Sequence, residues 1–119
     1  MLNTLRAVLL LGAVLLSVAV AALVVAPPPL CTAVAQRIGA HTVPLRQQLV
    51  RVTISPSCVR PGYAVVRYRT ARGGILPPHG YLILRPGYPR EDRYWLSPGG
   101  SVQVKRADGT WVTVWRSGG

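Results

Sequence analysis

Residues 101–116 read SVQVKRADGTWVTVWR and carry the clearest structural pattern in the chain. Apolar and polar side chains alternate on both sides of the turn sequence ADG at 107–109, and many of them are β-branched or aromatic. A period of two residues is typical of strands, and the glycine supplies the left-handed position that a tight hairpin needs. The stretch therefore predicts two antiparallel strands, 101–106 and 110–116.

The same alternation recurs upstream and predicts further strands. It covers residues 47–54, 63–70 and 81–85, with a weaker instance at 93–96. Pro-Gly pairs, which favour turns, stand between these segments at 61–62, 86–87 and 98–99. Five to six short strands separated by turns predict an all-β small domain, either an antiparallel sandwich or a barrel.

Two features around these strands are open to more than one interpretation. The tetrapeptide Arg-Pro-Gly-Tyr occurs at 60–63 and again at 85–88, which we interpret as a repeated turn and not as a duplicated module. Residues 30–47 show no clear period. That segment is expected to hold either a short helix at 33–38 or an extended linker.

A very different segment precedes the β pattern. Residues 7–26, AVLLLGAVLLSVAVAALVVA, form an uncharged run of 20 residues. At 1.5 Å rise per residue, such a run matches the apolar core of a bilayer, which is about 30 Å thick. Three prolines follow, and they end a helix because they lack the amide donor. The sequence predicts a transmembrane anchor at 1–26, a Pro-containing linker at 27–46 and a small basic β-domain at 47–119.

The charges around the apolar run predict its orientation. Arg6 precedes it and no charge follows until Arg37, which favours an extracytoplasmic β-domain. Residues 33–35, Ala-Val-Ala, have the form of a signal-peptidase site, so a cleaved chain beginning at Gln36 is the alternative. Lipidation at Cys31 is disfavoured because no small residue precedes it. The expected location is a membrane, cellular or of a virion.

Small residues recur inside the apolar run at helical spacing. Ala13, Ser17 and Ala21 are four residues apart and share one helix face. Small residues at this spacing let two membrane helices approach closely. We expect this face to pack on another helix, from a second copy or a partner subunit. The alternative is chance, since alanine is common in the segment.

The charge of the chain is strongly unbalanced. It has 14 Lys and Arg residues against 3 Asp and Glu, a formal net charge of +11. Such a balance favours acidic partners: nucleic acid, anionic lipid, acidic polysaccharide or an acidic protein face. GC-rich coding DNA also favours arginine, so composition alone assigns no ligand.

Residues suited to catalysis are few and scattered. Glu91 and Asp92 are adjacent, so in a strand they point to opposite faces, and Asp108 belongs to a turn. Acid–base catalysis usually needs two groups brought together, whereas His41 and His79 are isolated. The cysteines form no zinc-ligand spacing with them. We therefore expect no enzyme activity, no metal and no cofactor.

Cys31 and Cys58 are the two cysteines of the sequence. In an extracytoplasmic domain we expect a disulfide between them, joining the segment after the apolar run to the turn after the first strand. The alternative is two unrelated thiols. Cleavage after Ala35 would remove Cys31, so the pair favours an intact N-terminus.

The aromatic residues, five Tyr and three Trp with no Phe, all carry a polar atom. Such side chains suit a surface that binds a partner or lipid headgroups, and beside arginine they also stack on bases or sugars. The candidate binding surface comprises Arg67, Arg69, Tyr88, Arg90, Arg93, Trp111 and Trp115. Trp111 and Trp115 are expected on one strand face, where the alternative role is to fill a sandwich core.

These patterns together predict a single-pass membrane protein with a structural or accessory role. Its expected setting is a larger membrane-associated assembly, either a cell-envelope complex or a membrane-containing virion. The anchor supplies the location, and the β-domain docks on an acidic partner, which is a protein subunit or a polymer such as nucleic acid. The alternative is a secreted β-module, cleaved after Ala35, that binds acidic glycan, lipid or nucleic acid.

Overall fold

A computed structural model describes residues 29–118 and shows an all-β domain. Its strands are β1 Ala33–His41, β2 Gln47–Ile54, β3 Ala64–Arg69, β4 Ile75–Leu76, β5 Leu82–Leu84, β6 Glu91–Leu96, β7 Ser101–Lys105 and β8 Trp111–Arg116. One sheet has the order β1-β2-β6, and the other has the order β4-β3-β7-β8 with β5 also paired to β3. All pairs are antiparallel, so the predicted all-β class is confirmed.

The predicted membrane helix at 7–26 lies outside the described residues, as do Ala13, Ser17 and Ala21. Within residues 29–118, the structure contains no helix long and apolar enough to cross a membrane.

Six of the strands coincide with the predicted segments, namely β2, β3, β5, β6, β7 and β8. The predicted number of five to six strands is nevertheless too low, because β1 and β4 bring the described total to eight. The short helix or linker expected near residues 33–38 is wrong. That segment is β1, in which Ala33 pairs with Ile54 and Ala35 pairs with Val52.

The alternation of β1 is concealed by its position and by an irregularity. The strand belongs to an antiparallel sheet whose outer face meets solvent, so one of its faces has no need of large apolar side chains. Between Arg37 and Gly39 the register shifts, which reverses the inward and outward positions along the rest of the strand. Only Ala33 of this strand is fully buried.

The hydrophobic core lies between the two sheets. It is built by the inward faces that the alternation predicted in β2, β3 and β7, together with the ends of β5 and β6. The main contributors are Val50, Val52, Ile54, Ala64, Val66, Tyr68, Leu84, Leu96, Val102 and Val104. Two antiparallel sheets with a shared core give the domain the layered arrangement of a β-sandwich.

Tyr68 is the largest fully buried side chain of this core, with 1% of its surface exposed. Its ring stacks on Tyr94 at a centroid distance of 4.8 Å. Its hydroxyl donates a hydrogen bond of 2.5 Å to Asp92 Oδ2. Burial, followed by this hydrogen bond and the charge of Asp92, raises the pKa of Tyr68, so the phenol remains protonated and the two sheets are joined by a polar contact.

A disulfide joins Cys31 to Cys58 with a Cα–Cα distance of 5.6 Å, which confirms the predicted pair. It connects the residues before β1 to the loop after β2. Gly62 packs against it so closely that a β-carbon there would lie 2.7 Å from Cys31 Sγ. Disulfides of this kind persist in oxidising environments and are rare in reducing ones.

The strands connect two opposite ends of the domain. We call one of these ends the base. The base comprises residues 29–32, the loops 55–63 and 85–90, and the turn 106–110. A bridge between Leu30 and Tyr63, and a cavity lined by residues of both 30–32 and 104–107, hold these segments side by side. The opposite end carries the loops 42–46, 70–74 and 97–100.

Candidate functional site

The two tryptophans of β8 do not share a face, which corrects the sequence expectation. Val102 pairs with Trp115 whereas Gln103 pairs with Thr113, so Val114 is an extra residue in β8 and forms a β-bulge. A bulge reverses the facing of every residue beyond it. Trp115 consequently packs against the core, and Trp111 lies on the outer face of the sheet. The core interpretation therefore holds for Trp115, whereas a binding role for Trp111 stays a prediction.

Cationic and polar side chains share this outer face with Trp111. Partner residues in an antiparallel ladder lie on the same face, so the strand register brings together side chains that are far apart in sequence. We call the result the Arg67–Trp111 face; it comprises Arg67, Arg69, Gln103, Lys105, Trp111, Thr113 and Arg116. It spans the neighbouring strands β3, β7 and β8.

A ladder of hydrogen bonds fixes the centre of the Arg67–Trp111 face. Arg67 Nε donates to Gln103 Oε1 at 2.8 Å, and Gln103 Nε2 donates to Thr113 Oγ1 at 3.3 Å. The guanidinium of Arg67 also lies over the Trp111 ring, with Cζ 4.1 Å from the ring centroid. Lys105 Nζ lies 6.0 Å from the same centroid. Cation–π contacts of this kind hold the charged groups in place without neutralising them.

The positive charge of this face has no acidic counterpart on it. The sequence has 3 acidic side chains, and each has a partner elsewhere. Glu91 forms ion pairs with Arg51 and Arg93 on the other sheet, and Asp92 accepts from Tyr68 in the core. Asp108 accepts from the Thr110 amide and hydroxyl in the β7–β8 turn, which lowers its pKa.

The electrostatics of Arg67 reflect this imbalance. Partial burial, followed by the nearby charge of Arg69, lowers the pKa of Arg67, which nevertheless stays charged at any physiological pH. Among residues 29–118, none of the basic groups of the Arg67–Trp111 face takes part in an ion pair. An acidic partner would therefore meet a preformed set of cations that no internal carboxylate competes for.

The remaining predicted surface residues lie elsewhere. Tyr88 and Arg90 belong to the base, in the loop between β5 and β6. Arg93 lies on the outer face of the other sheet, where it contacts Glu91. The candidate binding surface is thus divided among the base, the outer faces of the two sheets and the core, and Arg67, Arg69 and Trp111 are the members that share one sheet face.

Four residues of the Arg67–Trp111 face were not singled out from the sequence: Gln103, Lys105, Thr113 and Arg116. Each occupies an outward position of a predicted strand, so a correct pairing of β3 with β7 would have identified them. The connection between those strands is long and contains three others, and nothing in the local pattern specifies that pairing.

Histidine and cysteine side chains are also placed by the structure. The His41 ring lies 4.4 Å from Trp95, with Nδ1 2.8 Å from the Leu45 carbonyl oxygen. His79 lies beside Tyr81, and both cysteines are in the disulfide. In the described part of the chain, no three His, Cys, Asp or Glu side chains come together as a metal site would require.

Comparison with protein-family models, curated proteins and solved structures finds no match to this chain. Its function is therefore inferred from its own residues, of which the Arg67–Trp111 face brings together a hydrogen-bonded ladder, a cation–π contact and four basic side chains without a carboxylate.

Proposed function

We propose that this protein is a single-pass membrane-anchored accessory subunit whose β-domain docks on an acidic protein surface within a larger membrane-associated assembly. The observation that carries the proposal is the Arg67–Trp111 face. It holds four basic residues, of which Arg67 and Lys105 lie beside its single tryptophan, while the three acidic side chains of the sequence are engaged elsewhere. Aromatic and arginine side chains are the types enriched where proteins bind each other.

An acidic protein fits this face better than a nucleic acid. Single-stranded nucleic acid stacks its bases on open aromatic rings. Here the Arg67 guanidinium already covers one side of the Trp111 ring at 4.1 Å. The Gln103 and Thr113 side chains are fixed in a hydrogen-bonded ladder along the sheet. A flat face with ordered donors and cations suits carboxylates displayed on a folded partner.

The membrane anchor in this proposal rests on the sequence. The apolar run at 7–26 is long enough to span a bilayer, and the described domain begins three residues later at Pro29. The disulfide between Cys31 and Cys58 suits an extracytoplasmic domain. Location and orientation of the chain in the membrane are thus part of what we propose.

The alternative of a secreted module cleaved after Ala35 receives less support. Cleavage there would remove the first three residues of β1, including Ala33, which is 4% exposed in the core. It would also remove Cys31 and leave Cys58 without its partner. The β-domain therefore uses residues on both sides of that site, which favours a chain that keeps them.

Photo-crosslinking in the native membrane tests the docking surface. With a photoreactive amino acid at Thr113, we expect a crosslink to a partner protein through an acidic peptide. The same amino acid at Val34, on the outer face of the other sheet, should give at least tenfold less of that product. The Arg67→Gln/Lys105→Gln variant should lower the Thr113 crosslink at least about tenfold, because even one close interfacial charge pair contributes about 1.5 kcal/mol or more.

The matched control is Arg46→Gln/Arg72→Gln, which removes the same charge from exposed loops at the opposite end of the domain. It should leave the Thr113 crosslink within twofold of the unmodified protein. An equal loss in both variants would mean that net charge alone drives association. Crosslinking from Val34 and not from Thr113 would place the interface on the other sheet and overturn the proposal.

A further inference from the structure

The two Arg-Pro-Gly-Tyr repeats lie side by side at the base of the domain. Together they line a cleft of about 420 Å³, which we call the base cleft, formed by Arg60, Pro61, Gly62, Arg85, Pro86, Gly87 and Tyr88. The guanidinium of Arg60 lies directly on the second repeat. A β-carbon added to Gly87 would be 2.6 Å from Arg60 Nη2, so in this arrangement the guanidinium packs directly on the bare backbone of Gly87. The repeat is therefore more than a turn used twice, because both copies build one site.

The chemistry of the base cleft is cationic and aromatic. Arg60 and Arg85 both line it, and no carboxylate does. In the described residues, neither of these arginines forms an ion pair. Tyr88 is 86% exposed at the cleft, and Val59, beside Arg60 in the chain, is 68% exposed. Two unpaired guanidinium groups with a phenol and an aliphatic side chain at the rim suit a phosphate attached to an apolar body.

The base cleft adjoins the point where the chain leads toward the apolar run. The Tyr63 amide, at the end of the first repeat, donates to the Pro29 carbonyl oxygen at 3.3 Å. The Cys31 amide donates back to the Tyr63 carbonyl oxygen at 2.7 Å. The disulfide to Cys58 fastens the same segment. This edge of the domain is thus tied to residues 29–31 by three separate bonds, one at Pro29 and two at Cys31.

The distance from there to a bilayer is short. Two residues separate Pro29 from Ala26, the last residue of the apolar run. Three steps of a fully extended chain span at most about 11 Å, whereas each polar headgroup layer is about 5 to 8 Å thick. The base cleft would therefore be held within reach of the headgroups on its own side of the membrane.

We propose that the base cleft binds the phosphates of anionic phospholipid headgroups and docks the base of the β-domain on the membrane that holds its anchor. This inference rests on the proposed membrane anchor. Arg60 and Arg85 receive the phosphate oxygens, and Tyr88 enters the interfacial layer, where tyrosine is enriched. In the docked domain the strands extend away from the bilayer surface, and the Arg67–Trp111 face remains accessible to a partner protein.

Hydrogen exchange of the full-length protein in lipid nanodiscs tests this inference. We compare nanodiscs of phosphatidylcholine alone with nanodiscs containing about 30% phosphatidylglycerol. The anionic lipid should slow exchange in peptides covering 57–63 and 85–90, and leave peptides covering 42–46 and 70–74 unchanged. The Arg60→Gln/Arg85→Gln variant should lower the ratio of docked to free domain about 30-fold, or about fivefold for each arginine near an anionic surface.

A matched variant and an added anion distinguish lipid binding at the base cleft from an effect of net charge and from binding of free phosphate. Arg46→Gln/Arg72→Gln removes equal charge at the opposite end and should keep the protection. Inorganic phosphate added to phosphatidylcholine nanodiscs should not reproduce it; protection by phosphate alone would assign the cleft to a free anion and overturn the lipid assignment. A protein that enters both nanodiscs but shows no lipid-dependent protection contradicts the docking, whereas one that enters neither contradicts the anchor itself.

Discussion

Replacement of Tyr68 by alanine is expected to lower the free energy of unfolding by about 4 kcal/mol. The side chain is 1% exposed and packs at the centre of the core between the two sheets. Truncation of a buried aromatic ring typically costs about 3 to 5 kcal/mol, because the transfer term is lost and a cavity remains. It would also leave Asp92 without the donor that the Tyr68 hydroxyl supplies.

Denaturant unfolding of the full-length protein in detergent, followed by near-ultraviolet circular dichroism, measures this effect. Val43→Ala, at an exposed position in the β1–β2 loop, is the control and should change the unfolding free energy by less than about 0.5 kcal/mol. A Tyr68→Ala variant that loses less than about 1 kcal/mol would mean that the core is not centred on this residue.

Tyr68→Phe separates the hydroxyl from the ring. It keeps the stacking on Tyr94 and should cost about 1 to 2 kcal/mol, the usual effect of removing a partly buried hydrogen bond to a charged group.

The pH dependence of unfolding gives a second readout for the Tyr68 hydroxyl. Because the pKa of Tyr68 is raised in the folded protein, the unfolded chain alone loses this proton above pH about 10. The contribution of the protonated Tyr68 to the free energy of unfolding is therefore present below that pH and decreases above it, by up to about 1.4 kcal/mol per pH unit. The Tyr68→Phe variant should lack this part of the pH dependence.

Removal of the disulfide is expected to cost about 3 kcal/mol of unfolding free energy. Cys31 and Cys58 are 27 residues apart in sequence, and a crosslink over a loop of this size restricts the unfolded chain by about that amount. The bond also holds residues 29–32 beside the loop at 55–63, where Gly62 packs on the two sulfur atoms. Its loss should loosen the base before the rest of the domain.

The Cys31→Ser/Cys58→Ser variant tests this in the same unfolding assay, with hydrogen exchange to locate the change. Faster exchange is expected at 57–63 and in the first residues of β1, whereas β7 and β8 should keep their native protection until global unfolding. Adding a reductant to the unmodified protein is the control and should reproduce the variant. Uniform acceleration across both sheets would contradict a local role for the bond at the base.

Much of the fold follows from local sequence pattern. Val50, Val52 and Ile54 are buried and Arg51 faces outward, as a period of two predicts. The turn at 107–109 joins β7 and β8 as expected. These elements are predictable because each side chain alternates between core and solvent, and the turn residues have a specific backbone requirement.

The parts that escaped prediction depend on long-range pairing. β1 is recognised only through its partner β2, since its own residues are mostly exposed. The bulge at Val114 separates Trp111 from Trp115, and nothing in residues 110–116 alone reveals it. For the same reason, the base cleft arises only when the loop after β2 meets the loop after β5. Local composition can suggest that a turn repeats, but only tertiary contact shows that the repeats form one cleft.

Whether the β-domain is membrane-anchored and disulfide-bonded is measured by the intact mass of the protein extracted from its native membrane, alkylated with and without prior reduction. We expect a chain that retains residues 7–35, takes no alkyl group before reduction and takes two after it. A chain that begins at Gln36 would lack the anchor, Cys31 and the start of β1. That result, or two thiols that react without reduction, would contradict a membrane-anchored domain fastened at its base by a disulfide.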